Sequence, residues 1–178
     1  WADASRLMIA NVAPFSKVRD TMLSGSMYLK RDDERLYLAL KSDRRPVRAA
    51  HRERDGSLWE DDVFEIALED AKRAGYHFIV NANGAMYDER SGVKAWDSRA
   101  ECRARCDADG WAAEFSVPLS DIGGVPLKGN VGLSSFSPGG EIECVGWARS
   151  GGGGYVSPSS YGSFVRIPSA VSILNVGS

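Results

Sequence analysis

Short runs of alternating apolar and polar residues, separated by turn sequences, limit most strongly how this chain can fold. Residues 26–30 and 36–40 flank a polar turn, and residues 111–117 alternate after the turn Asp109-Gly110. A repeat of two residues is typical of strands that bury one face. Similar runs cover 63–68, 76–81, 85–88, 100–106, 131–136 and 164–167. Helical periodicity is almost absent, so the pattern predicts a fold built from strands.

Eight or more short strands at near-regular spacing predict an all-β fold, an antiparallel β-sandwich of the jelly-roll or immunoglobulin-like kind. The chain has 178 residues, which suffices for one sizeable core and is short for two. We therefore predict a single domain over residues 1–168, with 169–178 as an exit strand or linker. The dipeptide Asn83-Gly84 predicts a tight hairpin between two of the strands.

Charge and hydropathy exclude several classes of partner. The formal net charge is −2, whereas a duplex nucleic-acid partner favours a strongly basic face. No apolar run approaches the roughly 20 residues that a membrane helix needs, so we expect neither nucleic-acid binding nor membrane insertion. Cys102 and Cys106 share a strand face but lie too far apart to bridge each other, and either could pair with Cys144. Three separate thiols is the simpler expectation.

Two aromatic residues stand beside features that suit a sugar. Trp59 precedes a run of carboxylates and a strand that carries Glu65, and Tyr155 follows the glycine run 151–154. An aromatic face stacks on the apolar face of a pyranose, while carboxylates and amides bind its hydroxyl groups. A core tryptophan beside a solvated acidic turn, and a tyrosine at a loose hairpin tip, are the plainer alternatives.

Other chemistry is indicated more weakly. Aspartates crowd the loop before Val63, and calcium takes several oxygen ligands from such loops. A glycosidase pair of Asp62 or Glu65 with Glu114 would need the two carboxylates to flank one bond. Haem ligation would use His77 with a methionine as axial ligands. No phosphate-binding loop is present, because the glycine run lacks the Lys-Ser/Thr that follows in such loops.

Several motifs in one order give the chain a resemblance to a known family. These are Asp33-Glu34-Arg35-Leu36-Tyr37, then Trp59-Glu60-Asp61-Asp62-Val63-Phe64-Glu65, then Phe78-Ile79-Val80-Asn81 with Asn83-Gly84, and then Asp109-Gly110-Trp111 running to Val117-Pro118-Leu119. In this order they resemble the family 9 carbohydrate-binding modules and the wider DOMON-like sandwich group. The matches span nearly the whole chain, to about residue 167.

The resemblance implies a β-sandwich that binds the end of a glycan between two aromatic rings. Trp59 matches the first ring, and Tyr155 stands where the second is usually a tryptophan. Glu65 and Asn81 match polar residues that bind sugar hydroxyls. Structural calcium is common in the family, and Asp43 and Asp62 are the candidate ligands.

Two departures from the family pattern remove polar contacts. A sugar-binding arginine would fall at Ile79, and a polar residue before the second ring would fall near Gly152. We nevertheless expect a non-catalytic carbohydrate-binding module for a polysaccharide or oligosaccharide. It would be one part of a larger extracellular, periplasmic or cell-surface protein with a catalytic or other tethered domain. The alternatives are a structural domain that has lost its ligand and a haem-binding electron-transfer domain.

Overall fold

The structure is a computed structural model that describes residues 1–2, 4–45, 47–149 and 154–164. The predicted exit segment 169–178, residues 151–153 of the glycine run and the end of the last predicted strand lie outside these residues. The described part of the chain contains twelve strands. They are β1 (Ser5–Ile9), β2 (Asn11–Val12), β3 (Gly25–Arg31), β4 (Arg35–Ser42), β5 (Val63–Glu69), β6 (Gly75–Asn81), β7 (Met86–Arg90), β8 (Glu101–Asp107), β9 (Gly110–Pro118), β10 (Lys128–Phe136), β11 (Ile142–Gly146) and β12 (Gly162–Ser163).

These strands form two antiparallel sheets. The five-stranded sheet has the order β1-β3-β4-β9-β8, and the seven-stranded sheet has the order β2-β11-β10-β5-β6-β7, with β12 also paired to β10. The predicted antiparallel β-sandwich is therefore confirmed. Single turns of 3₁₀ helix occur at Leu58–Glu60 and Pro158–Ser160. Among the described residues, no helix is long and apolar enough to span a bilayer.

Two glycine turns set the strand register as the sequence predicted. Gly84, at φ +81°, closes the β6–β7 hairpin, which pairs His77 with Glu89 and Ile79 with Tyr87. Gly110, at φ +122°, closes the β8–β9 hairpin, and a Cβ there would lie 2.1 Å from the Ser42 carbonyl oxygen. Only glycine adopts this φ easily and also leaves room for the Ser42 carbonyl oxygen. Substitution of Gly110 would therefore strain both the turn and the neighbouring strand.

The main core lies between the sheets and is built by every second residue of the central strands. Leu36, Leu38 and Leu40 of β4 face Phe64 and Ile66 of β5, all at most 1% exposed. Trp111 joins them, with its ring centroid 4.7 Å from that of Phe64. Because one face of each strand is used here, the alternate residues must lie on the two outer faces.

The outer face of the seven-stranded sheet carries two further buried clusters. One contains Leu58, Val63, Ile79, Ala85 and Tyr87, and the other contains Ala13, Cys144 and Tyr155. Leu58 and Tyr155, which lie outside the strands, thus pack on two parts of this face. The polar residues described below lie on the same face.

Strands β1, β2, β11 and β12 lie outside the strands predicted from the sequence. Strand β1 pairs with β3, and β2 pairs with β11, which is far away in the chain. Cys102, Cys106 and Cys144 are all free thiols, as the simpler expectation held. Burial raises the pKa of Cys102 to about 12, so its thiol is poorly reactive.

Candidate functional site

Three ionisable side chains form a linear array on the outer face of the seven-stranded sheet. The Nε2 of His77 on β6 lies 3.2 Å from a carboxylate oxygen of Glu65 on β5, and its Nδ1 lies 3.8 Å from Glu89 on β7. The side chains are 14%, 22% and 19% exposed for His77, Glu65 and Glu89. The array is therefore mostly covered, and each side chain keeps a small part of its surface in contact with solvent.

Further hydroxyl groups hold the two carboxylates. The Tyr87 hydroxyl donates to Glu89 at 2.8 Å, and the Ser134 hydroxyl contacts Glu65 at 3.4 Å. Gly132 lies opposite Glu65 on β10, and the Tyr155 ring fills the space that a side chain at Gly132 would take. The arrangement resembles a row of fixed hydrogen-bond acceptors, which suits a ligand with many hydroxyl groups.

Contacts within the array shift the pKa values of His77 and Glu89. Burial alone would lower the pKa of His77, but hydrogen bonds to Glu65 and Glu89 outweigh burial and raise that pKa to about 9. The bond from His77 also lowers the pKa of Glu89 to about 2, against the opposite effect of burial. At neutral pH the imidazole is thus a cation between two anions.

We expect the stability of the fold to depend on pH through His77. Its folded pKa lies above the ordinary value of 6.5, so its contribution is complete below pH 6.5 and is lost as pH rises to about 9. The full shift corresponds to about 3 kcal/mol. Urea unfolding at pH 6 and pH 9 measures the change, and His77→Gln should flatten it. An equal pH dependence in His77→Gln would contradict the assignment.

Trp59 follows Leu58, which packs on this face. It stands in the 3₁₀ turn Leu58–Glu60, where Leu58 is buried in the cluster with Ile79 and Tyr87. The Trp59 side chain is left 54% exposed. An anchored leucine beside an exposed tryptophan gives the ring a fixed position without covering it.

Asn81 is a correction to the sequence prediction. It is fully buried, and its amide donates to the Asp61 carboxylate and to the His51 carbonyl oxygen, both at 2.8 Å. Its own oxygen accepts the backbone N–H groups of Asn83 and Ala85. All of its hydrogen-bonding groups are used within the protein, so Asn81 positions the loop before Trp59 and does not face a ligand.

Tyr155 is a second correction. It is 2% exposed, and its hydroxyl donates to the carbonyl oxygens of Val145 at 3.0 Å and Leu133 at 3.3 Å. Its ring lies directly over Gly132, where an added Cβ would come within 2.4 Å of ring carbons. Phe15 packs edge-on against it at 5.0 Å. Tyr155 therefore offers no open face for stacking opposite Trp59.

The segment that Tyr155 anchors forms the other wall of the face. Beyond Tyr155, the side chains of Val156 and Tyr161 line a cavity of about 300 Å³ together with His77 and Glu89. The Tyr161 hydroxyl donates to the Val156 carbonyl oxygen at 2.8 Å. The cavity thus lies between residues 156–161 and the His77–Glu89 end of the array. We call the outer sheet face from the Trp59 turn to residues 154–161 the cleft.

His77, Glu89 and Tyr161 were missed as site residues. A usable signal existed for the first two, because the Asn83-Gly84 turn fixes which β6 and β7 residues are paired. Counting back from that turn places His77 opposite Glu89 on one face. No comparable signal points to Tyr161, because the path of the final segment over the sheet depends on packing.

The predicted calcium ligands do not fit a cation. Asp62 is fully buried, and its oxygens accept hydrogen bonds from Arg48 N–H, Ser135 and Phe136 N–H at 2.7 to 2.9 Å. Asp43 is exposed and lies in a different group of residues, with Arg44 and Glu143. Asp62 therefore holds the loop against β10, and the pair forms no ligand set among the described residues.

A different carboxylate cluster is already satisfied by an arginine. Oxygens of Asp55, Asp88 and Asp97 lie within 4.8 Å of one another. The Arg54 guanidinium donates to both oxygens of Asp88 at 2.8 Å and lies within 3.7 Å of the other two carboxylates. The cation of this cluster is thus supplied by the chain itself.

The two alternative chemistries meet geometric obstacles. Glu65 lies on the outer face of the seven-stranded sheet, whereas Glu114 lies on the outer face of the five-stranded sheet, so they cannot flank one glycosidic bond. Asp62, the other proposed partner of Glu114, is buried and fully hydrogen-bonded. Both ring nitrogens of His77 face carboxylates, which leaves no lone pair directed toward a haem iron.

Comparison with solved structures gives clear relatives in fold. A family 9 carbohydrate-binding module from Caldicellulosiruptor kristjanssonii, in complex with cellotriose, superimposes with a TM-score of 0.71 and 17% identity, over 100% of this chain and 90% of that one. A family 9 module from the same organism, in complex with glucose, gives 0.67 and 20% identity over 95% and 85%.

A third structure comes from a different bacterium. It is a provisionally assigned carbohydrate-binding protein from Bacteroides uniformis ATCC 8492, with a TM-score of 0.73 and 15% identity over 90% of this chain and 85% of that one. No family model and no curated protein matches the sequence. At these identities the likeness concerns the fold, and on that ground the chain has the fold of the family 9 carbohydrate-binding modules.

Proposed function

We propose that this protein is a non-catalytic carbohydrate-binding module whose site is the cleft between Trp59 and residues 154–161. The observation that carries the proposal is the array Glu65–His77–Glu89 on the outer sheet face, together with the exposed Trp59, whose neighbour Leu58 packs on the same face. The neighbours in fold that are complexed with cellotriose and glucose support a sugar as the ligand.

Each residue has a distinct role in this proposal. Trp59 stacks on one apolar sugar face, and Glu65 and Glu89 accept hydrogen bonds from sugar hydroxyls. His77 is a positioning residue, since it hydrogen-bonds Glu65 at 3.2 Å and forms an ion pair with Glu89 at 3.8 Å. Tyr161 forms the far wall of the cavity. Tyr155 acts only by anchoring that wall to β10 and β11.

The cleft fits a short stretch or an end of a glycan. Its cavity of about 300 Å³ stands at the lower end of the range for small-ligand sites. One stacked ring and a few hydrogen bonds predict a Kd in the micromolar to millimolar range. Binding of that strength becomes useful when the module raises the local concentration of a tethered domain.

The biological setting is part of the same proposal. A weak, reversible glycan site serves best within a larger polysaccharide-active protein, which would meet its substrate outside the cytoplasm. Sequencing of the complete gene, followed by fractionation of the source cells, tests it.

Isothermal titration with glucose, cellotriose and a panel of neutral oligosaccharides tests the site. We expect heat with at least one sugar, and a loss of more than about tenfold in affinity for Glu65→Gln and Glu89→Gln, because hydrogen bonds to charged groups are the stronger ones. Glu141→Gln is the matched control, since Glu141 is exposed at the turn between β10 and β11.

Three outcomes would contradict the proposal. The first is the absence of heat with any sugar while the circular dichroism spectrum shows a folded protein. The second is equal affinity in the Glu65→Gln, Glu89→Gln and Glu141→Gln variants. The third is release of reducing ends from a polysaccharide, which would make the cleft an enzyme site.

Metal removal gives a separate prediction. Asp62 is saturated by protein donors and Arg54 satisfies the aspartate cluster, so we expect chelation with EDTA to leave the melting temperature within about 1 °C. Differential scanning calorimetry with EDTA, and again with excess calcium, makes the comparison. A rise of several degrees on adding calcium would show that the chain binds it tightly in the folded state.

A further inference from the structure

A second groove lies on the outer face of the five-stranded sheet, on the opposite side of the sandwich from the cleft. Its volume is about 480 Å³. Ala39 of β4 and Ala112 of β9 form its floor in the centre of the sheet, where their short side chains leave a depression. Tyr28 and Trp1 form one wall, and Arg103 and Arg105 of β8 form the other.

The aromatic wall is held in place by polar contacts. The indole nitrogen of Trp1 donates to the Glu114 carboxylate at 2.9 Å, across the groove floor. The Lys30 ammonium lies 5.0 Å from the centre of the Trp1 ring, within the range of a cation–π contact. Tyr28 stands next to Ala39 by strand register. One indole and one phenol thus border an apolar floor.

The groove carries an excess of positive charge. Lys41, Arg103 and Arg105 line it, with Glu114 as the one carboxylate among the lining residues, although Arg105 also lies 3.8 Å from Asp107 outside the groove. Register places Lys41, Ala112 and Arg105 in one row across three strands, with Arg103 and Glu114 in the next row. Within the described part of the chain, neither Lys41 nor Arg103 has a carboxylate within 4.0 Å, and both side chains belong to exposed residues.

We propose that this groove binds an acidic oligosaccharide, a chain of sugar units that carry carboxylates. The apolar floor and aromatic wall suit the C–H faces of sugar rings. Lys41 and Arg103 supply cations for the carboxylates, and guanidinium groups bind carboxylates in a bidentate manner. Glu114 accepts sugar hydroxyls. The Glu114 carboxylate and the net charge of −2 disfavour a nucleic acid as the ligand. Its phosphate charges are more closely spaced than the carboxylates of an acidic sugar chain, and the DNA backbone has no hydroxyl groups to donate to Glu114.

This inference is independent of the cleft, because the two sites lie on opposite outer faces and share no residue. The module would therefore take a neutral sugar on one side and a charged one on the other. A protein of this kind suits mixed polysaccharides that contain both neutral and acidic units.

Titration with a galacturonic acid hexamer, compared with its methyl-esterified form, tests the proposal. We expect the acidic hexamer to bind and the neutral ester to bind at least about tenfold more weakly, because esterification removes the charges that the groove would pair. The double variant Lys41→Gln/Arg103→Gln should lose at least about tenfold in affinity for the acidic form. Binding should also weaken as NaCl rises from 50 to 500 mM.

A matched double variant separates a built groove from general charge attraction. Lys17→Gln/Lys72→Gln removes the same two charges from exposed positions outside the groove. We expect it to bind the acidic hexamer as the parent does. Equal losses in both double variants would overturn the proposal, as would equal binding of the ester and the acid.

Two more results would also overturn it. One is the absence of binding by the acidic hexamer at low salt. The other is equally tight binding of single-stranded DNA with the same dependence on Lys41 and Arg103, which would make the face a general anion surface. Loss of hexamer binding in Trp59→Ala, with Lys41→Gln/Arg103→Gln unaffected, would place the acidic ligand in the cleft instead.

Discussion

Replacing Trp59 with alanine is expected to reduce sugar affinity by about thirtyfold while leaving the melting temperature nearly unchanged. Stacking that buries about 80 Å² of apolar surface at roughly 25 cal/mol per Å² contributes about 2 kcal/mol, which corresponds to that factor in Kd. Little stability is lost because the ring is 54% exposed and Leu58 anchors the turn. Isothermal titration and thermal unfolding of the same samples measure both quantities.

The control for Trp59→Ala is Met22→Ala. Met22 is 93% exposed, lies before β3 and lines neither the cleft nor the second groove. It should keep both the parent affinity and the parent melting temperature. Trp59→Phe should retain part of the affinity, since a smaller aromatic face remains. A Trp59→Ala variant that binds sugar as the parent does would remove stacking from the proposed site.

Replacing Tyr155 with alanine is expected to give the opposite result, a large loss of stability. The ring is 2% exposed between Gly132 and Phe15, so its removal leaves a cavity that costs about 3 to 5 kcal/mol. Tyr155→Phe keeps the ring but loses the hydroxyl contacts to two carbonyl oxygens, at about 1 kcal/mol. Urea unfolding of both variants measures these losses.

Gly132 provides a second test of the same contact. A methyl group at Gly132 would overlap the Tyr155 ring, so Gly132→Ala should also destabilise the fold. The double variant Gly132→Ala/Tyr155→Ala should be more stable than the sum of the single effects predicts, because the clash is absent. Strict additivity, or a Tyr155→Ala variant that loses sugar affinity without stability, would contradict the burial of this ring.

These two aromatic residues show where sequence reasoning stops. Trp59 and Tyr155 both follow a loop and both looked equally suited to stack on a sugar. Their exposure differs because Leu58, beside Trp59, fills the pocket over Ile79 and Tyr87, whereas Tyr155 itself fills the space over Gly132. No local pattern states which residue of a loop becomes the anchor, since that choice depends on the surface onto which the loop folds.

The exposure of polar residues also depends on the tertiary structure. Asn81, Asp61 and Asp62 have the composition of a binding site, yet all three are at most 1% exposed and serve to fasten loops to the sheet. Glu65 and Glu114 looked like possible partners until the sheets placed them on opposite faces. The sequence suggested only haem ligation for His77, and its place in the array follows from its neighbours on β5 and β7.

The sequence by itself determined the strands from 25 to 136, the hairpins at Gly84 and Gly110, and the sandwich of two antiparallel sheets. These features follow from alternation and from local turn chemistry, which act over a few residues. The tertiary structure decided which rings are exposed, which carboxylates meet and which face each strand presents to solvent. Those outcomes depend on contacts between residues far apart in the chain. Alternation of apolar and polar residues cannot show whether an apolar face lies inside the sandwich or on an outer face that a loop covers.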